Sequence, residues 1–141
     1  MILALFVLLS DTRNSLQGNR RWCLGRFLVI DDDAGVRKVL ARVLENEGHT
    51  VSQASSRVEA LKLTRSNQFD LVTVDLVMDQ MDGVDTIAVL RNEVTCPIIA
   101  ISAHLSDDLR DELSKLGVSG FLQKPFTTSE VRELIQRFYP S

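Results

Sequence analysis

The chain has 141 residues, 45% hydrophobic and 25% charged, enough for one domain with a real core but not for two ordinary ones. The net charge of −3 excludes a nucleic-acid binder that works by bulk positive charge. Of 16 basic and 19 acidic residues, three Arg and one Asp fall in residues 1–25, which leaves 13 against 18 and a net of −5 beyond them. The two cysteines, Cys23 and Cys96, have neither CxxC spacing nor clustered histidines, so a metal or redox pair is not expected.

The chain opens on "MILALFVLLS", where Ile2 to Leu9 is apolar but far short of the ~20 residues a bilayer span needs. It lacks the basic start and the small-residue cleavage site of a secretory signal. Three explanations compete: translation from a start codon too far upstream, a short helix docking on an apolar surface, and an export signal. The first two together are preferred, and residues 1–25 are taken as an extension and linker ahead of a domain spanning 26–141.

From Arg26 short β-rich runs alternate with helical patterns. "RFLVID" (26–31) is a near-continuous apolar strand. A helix follows with Val36, Val39, Leu40, Val43 and Leu44 on one face, stopped by Gly48. "HTVSQA" (49–54) is a weaker strand, and the next helix is capped by Ser55 or Ser56. "FDLVTVD" (69–75) is the third strand, with a helix after Gly83. "CPIIAIS" (96–102) is the fourth, followed by a helix ending at Gly117. "SGFLQ" is a short fifth strand, and a final helix, capped by Thr127, Thr128 or Ser129, carries Val131, Leu134, Ile135 and Phe138 on one face.

Five strands alternating with five helices over residues 26–141 call for a parallel sheet covered on both faces. The expected architecture is an α/β, flavodoxin-like, doubly wound five-stranded sheet of order 2-1-3-4-5, with its site at the carboxyl ends of the strands. There the first strand ends in Asp31 and Asp32, the third in Asp75, the fourth in Ser102, and the fifth runs into Lys124. Two carboxylates 4 Å apart repel by roughly 4 kcal/mol at an effective dielectric of ~20. A hard divalent cation with oxygen ligands relieves that, and Mg²⁺ fits best. Asp75 then serves as nucleophile toward a phosphoryl group, Lys124 balances charge, and Ser102 donates a hydrogen bond to the transferred group. Asp33 reads as the cap of the first helix.

The elements "LVIDDD", "DLVTVDLVMDQMDG", "PIIAISA" and "GFLQKPF" together resemble the receiver domain of two-component response regulators over residues 26 to about 139. The resemblance implies Mg²⁺ bound by Asp31 and Asp32, with Asp75 and the backbone carbonyl of Val77 completing the protein's share. It implies phosphorylation of Asp75 by a histidine kinase or a histidine phosphotransfer protein, and a lysine at 124 whose bond to Pro125 is cis. Ser102 and Phe121 take the switch positions, which remodel a face that binds an unknown target protein. Val77 and His104 take positions that tune phosphoryl lifetime: an apolar Val77 cannot orient an attacking water, and His104 shields the site, helps place water, or is an ordinary, partly exposed loop histidine, the last reading being preferred. The sequence departs from the family at Asp79, where Pro is common, at Arg57, where Gly is frequent, and at Val118, where Ala is common.

Only Pro140 and Ser141 follow the last helix, so the expectation is a stand-alone cytoplasmic receiver with no direct nucleic-acid contact, no membrane span and no enzymatic output domain. A phosphorelay shuttle to a histidine phosphotransfer protein is the alternative within signalling. A Mg²⁺-dependent phosphohydrolase with an aspartyl nucleophile ranks lower, because the position two residues after Asp75, where a general acid belongs, is Val77. A flavin or dinucleotide binder would want a Gly-rich phosphate loop where "DDDAG" stands. The sequence carries no signal for oligomeric state.

Overall fold

The computed structural model describes residues 24–78 and 81–139. The expectations for residues 1–23 and for Asp79 lie outside them.

Five strands, β1 (Arg26–Ile30), β2 (Thr50–Ala54), β3 (Leu71–Asp75), β4 (Ile98–Ser102) and β5 (Gly120–Gln123), form one sheet. Its order is β2-β1-β3-β4-β5 and every pairing is parallel. The crossovers are α1 (Ala34–Asn46), α2 (Arg57–Ser66), α3 (Gly83–Arg91) and α4 (Asp107–Lys115), and α5 (Thr128–Phe138) follows β5. This is the flavodoxin-like arrangement expected from the alternation of elements. A two-residue antiparallel ladder, Val77–Met78 against Met81–Asp82, lies between β3 and α3.

The three inner strands, β1, β3 and β4, are buried along nearly their whole length, so they read as apolar runs rather than as an alternation. Phe27, Val29, Leu71, Ile99 and Ile101 meet Leu40 and Leu44 of α1 and Val131, Leu134 and Ile135 of α5. On the other face Leu28, Ile30, Val72, Val74, Ile98 and Ala100 meet Ala60 of α2, Ile87 and Leu90 of α3 and Leu113 of α4. Each fully buried Leu, Ile or Phe contributes roughly 1.5–3 kcal/mol.

The helix starts are set by side-chain caps. Asp33 accepts from the N–H groups of Gly35 and Val36, as expected. Of the two candidates for α2, Ser56 is the cap, while Ser55 bonds the Glu59 carboxylate instead. Thr127 caps α5 in a reciprocal box with Glu130. Gly48 and Gly117 follow α1 and α4 at φ of 99° and 94°, where a Cβ would be strained.

One placement differs from expectation. Val39 does not join the buried face of α1 but is 59% exposed. Leu40, Ala41, Val43 and Leu44 fill the groove over the sheet, and Val39 falls on the flank of that stripe. With Val36, Ala103, Pro125 and Phe126 it lines an open, mostly apolar depression of about 680 Å³ that reaches Asp33 and Lys124.

Candidate phosphoacceptor site

The register of the sheet brings the site together. Ile30 pairs with Val74, so Asp31, one residue on, lies level with Asp75 at the neighbouring strand end. Asp75 pairs with Ile101, which puts Ser102 one step beyond it. Ser102 in turn pairs with Gln123, after which the chain reaches Lys124. Asp31, Asp32 and Asp75 each offer a carboxylate oxygen, all within 4.8 Å of one another.

Asp31 and Asp75 are only 1% and 3% exposed, so their charges cannot be dispersed in water. Asp31 Oδ1 accepts the N–H of Asp33 at 2.9 Å. Among the described residues its Oδ2 has no hydrogen-bond partner, and the Lys124 ammonium lies 3.5 Å from it. Burial pushes the Asp31 carboxyl up to about 6; the Asp33 N–H and Lys124 oppose this, and the Asp75 charge adds to it.

Asp75 is better held. Its Oδ1 accepts the Val77 N–H at 3.2 Å and its Oδ2 the Lys124 ammonium at 3.1 Å. Burial would pull the Lys124 ammonium down, but its bond to Asp75 and the charges of Asp31 and Asp75 outweigh that and hold it above the usual lysine range. The Lys124–Pro125 peptide is cis.

Lys124 alone does not balance three carboxylates, so the rim favours a further positive charge. The donor set is all hard oxygen, and a buried carboxylate oxygen stands without a hydrogen bond in its midst. These residues therefore fit a small divalent cation, which coordinates such oxygens in preference to nitrogen or sulfur.

Ser102 is buried, with its hydroxyl donating to the His104 carbonyl and accepting the His104 N–H, both at 3.2 Å. The His104 residue itself is exposed. Val77 is 73% exposed and pairs with Asp82 across the short ladder. Phe121 is half-buried against the core, with the Arg110 guanidinium 5.1 Å from its ring centre. Arg57 is the first residue of α2, and Val118 is buried.

Sequence reasoning missed Arg37. Its guanidinium donates to the Asp31 carbonyl at 2.7 Å and to the Gln53 side chain at 3.2 Å. The only hint was an adjacent pair of cations, Arg37 and Lys38, shortly after three acids.

Comparison with known proteins agrees with this geometry. Residues 27–136 match the family model of the response regulator receiver domain. The chain is 33% identical over 112 residues to a probable transcriptional regulator, ycf27, of Cyanidium caldarium, and 32% identical over 105 residues to the transcriptional regulatory protein SrrA of Staphylococcus aureus. These alignments cover 78% and 74% of this chain and 44% of each relative, so the chain spans less than half the length of those proteins. A solved response regulator from Burkholderia pseudomallei, described with a phosphorylated aspartic acid, a calcium ion and citrate, superposes with a TM-score of 0.73 at 32% identity, covering 80% of this chain and 65% of that one. The chemotaxis protein CheY4 of Vibrio cholerae shares the fold, with a TM-score of 0.77 at 24% identity over 82% of this chain and 98% of that one. Sheet order, the acid cluster at the strand ends and the family match agree: the chain belongs to the response regulator receiver domain family.

Proposed function

We propose that Asp75 is the phosphoacceptor of a two-component signalling pathway, loaded by a histidine kinase or a histidine phosphotransfer protein in the cytoplasm. The observation that carries this is the position of Asp75: a buried carboxylate, one oxygen on Lys124, inside a cluster with Asp31 and Asp32. The phosphorylated aspartic acid and calcium ion of the Burkholderia pseudomallei relative support the same chemistry on a similar fold.

Mg²⁺ held by Asp31, Asp32, Asp75 and the Val77 carbonyl would neutralise the rim and stabilise the charge spreading over the phosphoryl oxygens. Asp75 supplies the nucleophilic oxygen. Its new O–P bond forms as the P–N bond of the phosphohistidine breaks, and the electron pair leaves with the imidazole, which takes up a proton. Lys124 stands beside the attacking carboxylate and is placed to follow the charge onto the phosphoryl group. The work is self-directed transfer and later autodephosphorylation, not turnover of a free substrate.

Ser102 provides the switch. To bond a phosphoryl oxygen, its hydroxyl must leave the His104 carbonyl, which opens the turn before α4. The Arg110 guanidinium donates to the next carbonyl, Leu105, at 3.4 Å and lies over Phe121, so that turn is in contact with the aromatic position. New charge-assisted bonds at Ser102 thus bias a neighbouring face toward an unknown target protein. The apolar depression at Val36, Val39, Pro125 and Phe126 offers the phosphodonor a surface next to the site.

Val77 and His104 set how long the phosphoryl group lasts. An apolar, exposed Val77 leaves an attacking water unoriented, and Val77→Asn is expected to shorten the half-life of the phosphorylated protein several-fold; an unchanged half-life would remove Val77 from this role. The loading chemistry itself is tested by intact mass after incubation with Mg²⁺ and acetyl phosphate. One added phosphoryl group, absent in Asp75→Ala, is the expected result, and equal uptake by the variant would refute the assignment.

A further inference from the structure

Asp31 is fixed at its backbone as well as at its side chain. Its N–H donates to the Ala54 carbonyl at the end of β2, at 3.1 Å. Its own carbonyl accepts the Arg37 guanidinium at 2.7 Å. The Nε–H of Arg37 donates to the side-chain oxygen of Gln53, the neighbour of Ala54, at 3.2 Å. Arg37 thus reaches from the first turn of α1 to the residue just after β1 and to β2. Holding the Asp31 carbonyl holds the planar Asp31–Asp32 peptide, and that plane sets the direction in which the Asp32 side chain leaves the backbone.

We infer that Arg37, braced by Gln53, is a positioning residue that keeps Asp31 and Asp32 in cation-binding geometry. The inference rests on the proposal that the acid cluster takes a divalent cation. A guanidinium beside the acids opposes cation binding by its charge, whereas its hydrogen bonds to the Asp31 carbonyl and to Gln53 fix geometry. Charge and geometry also predict opposite signs. If Arg37 acted only through its charge, removing it would tighten Mg²⁺ binding; as a brace, its removal weakens binding, because partners that orient ligands typically govern metal affinity by tenfold or more.

Calorimetric Mg²⁺ titration of the unphosphorylated protein separates these effects, with melting temperatures recorded in parallel. The brace predicts about tenfold weaker binding for Arg37→Ala. It predicts a smaller loss for Arg37→Lys, which keeps the charge and one bond. Gln53→Leu, which leaves every charge in place, is expected to weaken binding a few-fold in a protein that melts like wild type. Equal or tighter binding by a folded Arg37→Ala would overturn the inference, and so would wild-type affinity in both Arg37→Lys and Gln53→Leu. Should Arg37→Ala not fold, those two variants decide by the same criterion. Absence of saturable binding in the wild type would instead overturn the cation-site proposal beneath it.

Discussion

The two ends of the sheet are built on opposite principles. At the carboxyl ends, Asp31, Asp32 and Asp75 crowd together with one lysine, and a buried carboxylate oxygen is left without a hydrogen bond. At the amino ends, polar groups meet partners. Gly25 N–H donates to His49 Nδ1 at 3.0 Å, Arg26 N–H to Asp70 at 2.8 Å, and Tyr139 hydroxyl to the Leu24 carbonyl at 2.9 Å. Phe27 stacks on the His49 ring at 4.3 Å and meets Tyr139 edge-on at 5.4 Å. The same strands therefore carry a satisfied, closing end and a frustrated, reactive one. Concentrating unfavourable charge where chemistry occurs, and compensating elsewhere, is how a marginally stable fold keeps a site poised.

The largest break in this comparison comes from the cation that partly relieves the reactive end. Lys124→Ala is expected to slow phosphoryl uptake from acetyl phosphate by roughly a hundredfold, the scale of losing one charge-stabilising donor. Uptake at the wild-type rate, followed by intact mass over time, would contradict that role.

A smaller effect sharpens the contrast. Asp31→Asn removes a buried charge that the metal-free protein holds at a cost, so the metal-free variant is expected to be more stable by roughly 1 to 2 kcal/mol, read by urea unfolding at neutral pH. The gain should come with loss of Mg²⁺ binding. A destabilised variant would mean that the rim is not frustrated.

The smallest effect belongs to the closed end and depends on pH. Burial holds the His49 imidazole below its ordinary value, against the opposing charges of Glu47 and Asp70. Its folded form therefore binds fewer protons than the unfolded chain, whose histidine titrates near 6.5. The contribution is fully present above that value and is lost as pH falls through the lower folded one. Protonation also removes the lone pair that accepts the Gly25 N–H. His49→Leu should cost roughly 1 kcal/mol at pH 7.5, with the gap to wild type closing as pH drops toward 5. A gap independent of pH, in melting curves, would show that His49 serves only as packing.

The reactive end was far more legible in the sequence than the closed one. Its acids and Lys124 stand directly at the ends of apolar runs, so strand order alone was enough to bring them together. Helix caps were legible only to within a residue or two, because Ser55 and Ser56, or Thr127, Thr128 and Ser129, offer equivalent hydroxyls to the same turn. Val39 was misplaced because helical spacing marks a broad apolar stripe but not where the groove over the sheet stops. The Arg37 brace and the His49 contact were invisible for a common reason. Their partners, Gln53 and Gly25, lie 16 and 24 residues away on other elements, and no local pattern encodes such a meeting.

Amide NMR during a Mg²⁺ titration tests most directly whether the acidic rim is a cation site. Saturable shifts should cluster at Asp31, Asp32, Asp75, Val77 and Lys124, while His49 and Tyr139 at the far end stay still. Resonances that do not move, or shifts scattered evenly over both ends of the sheet, would contradict it.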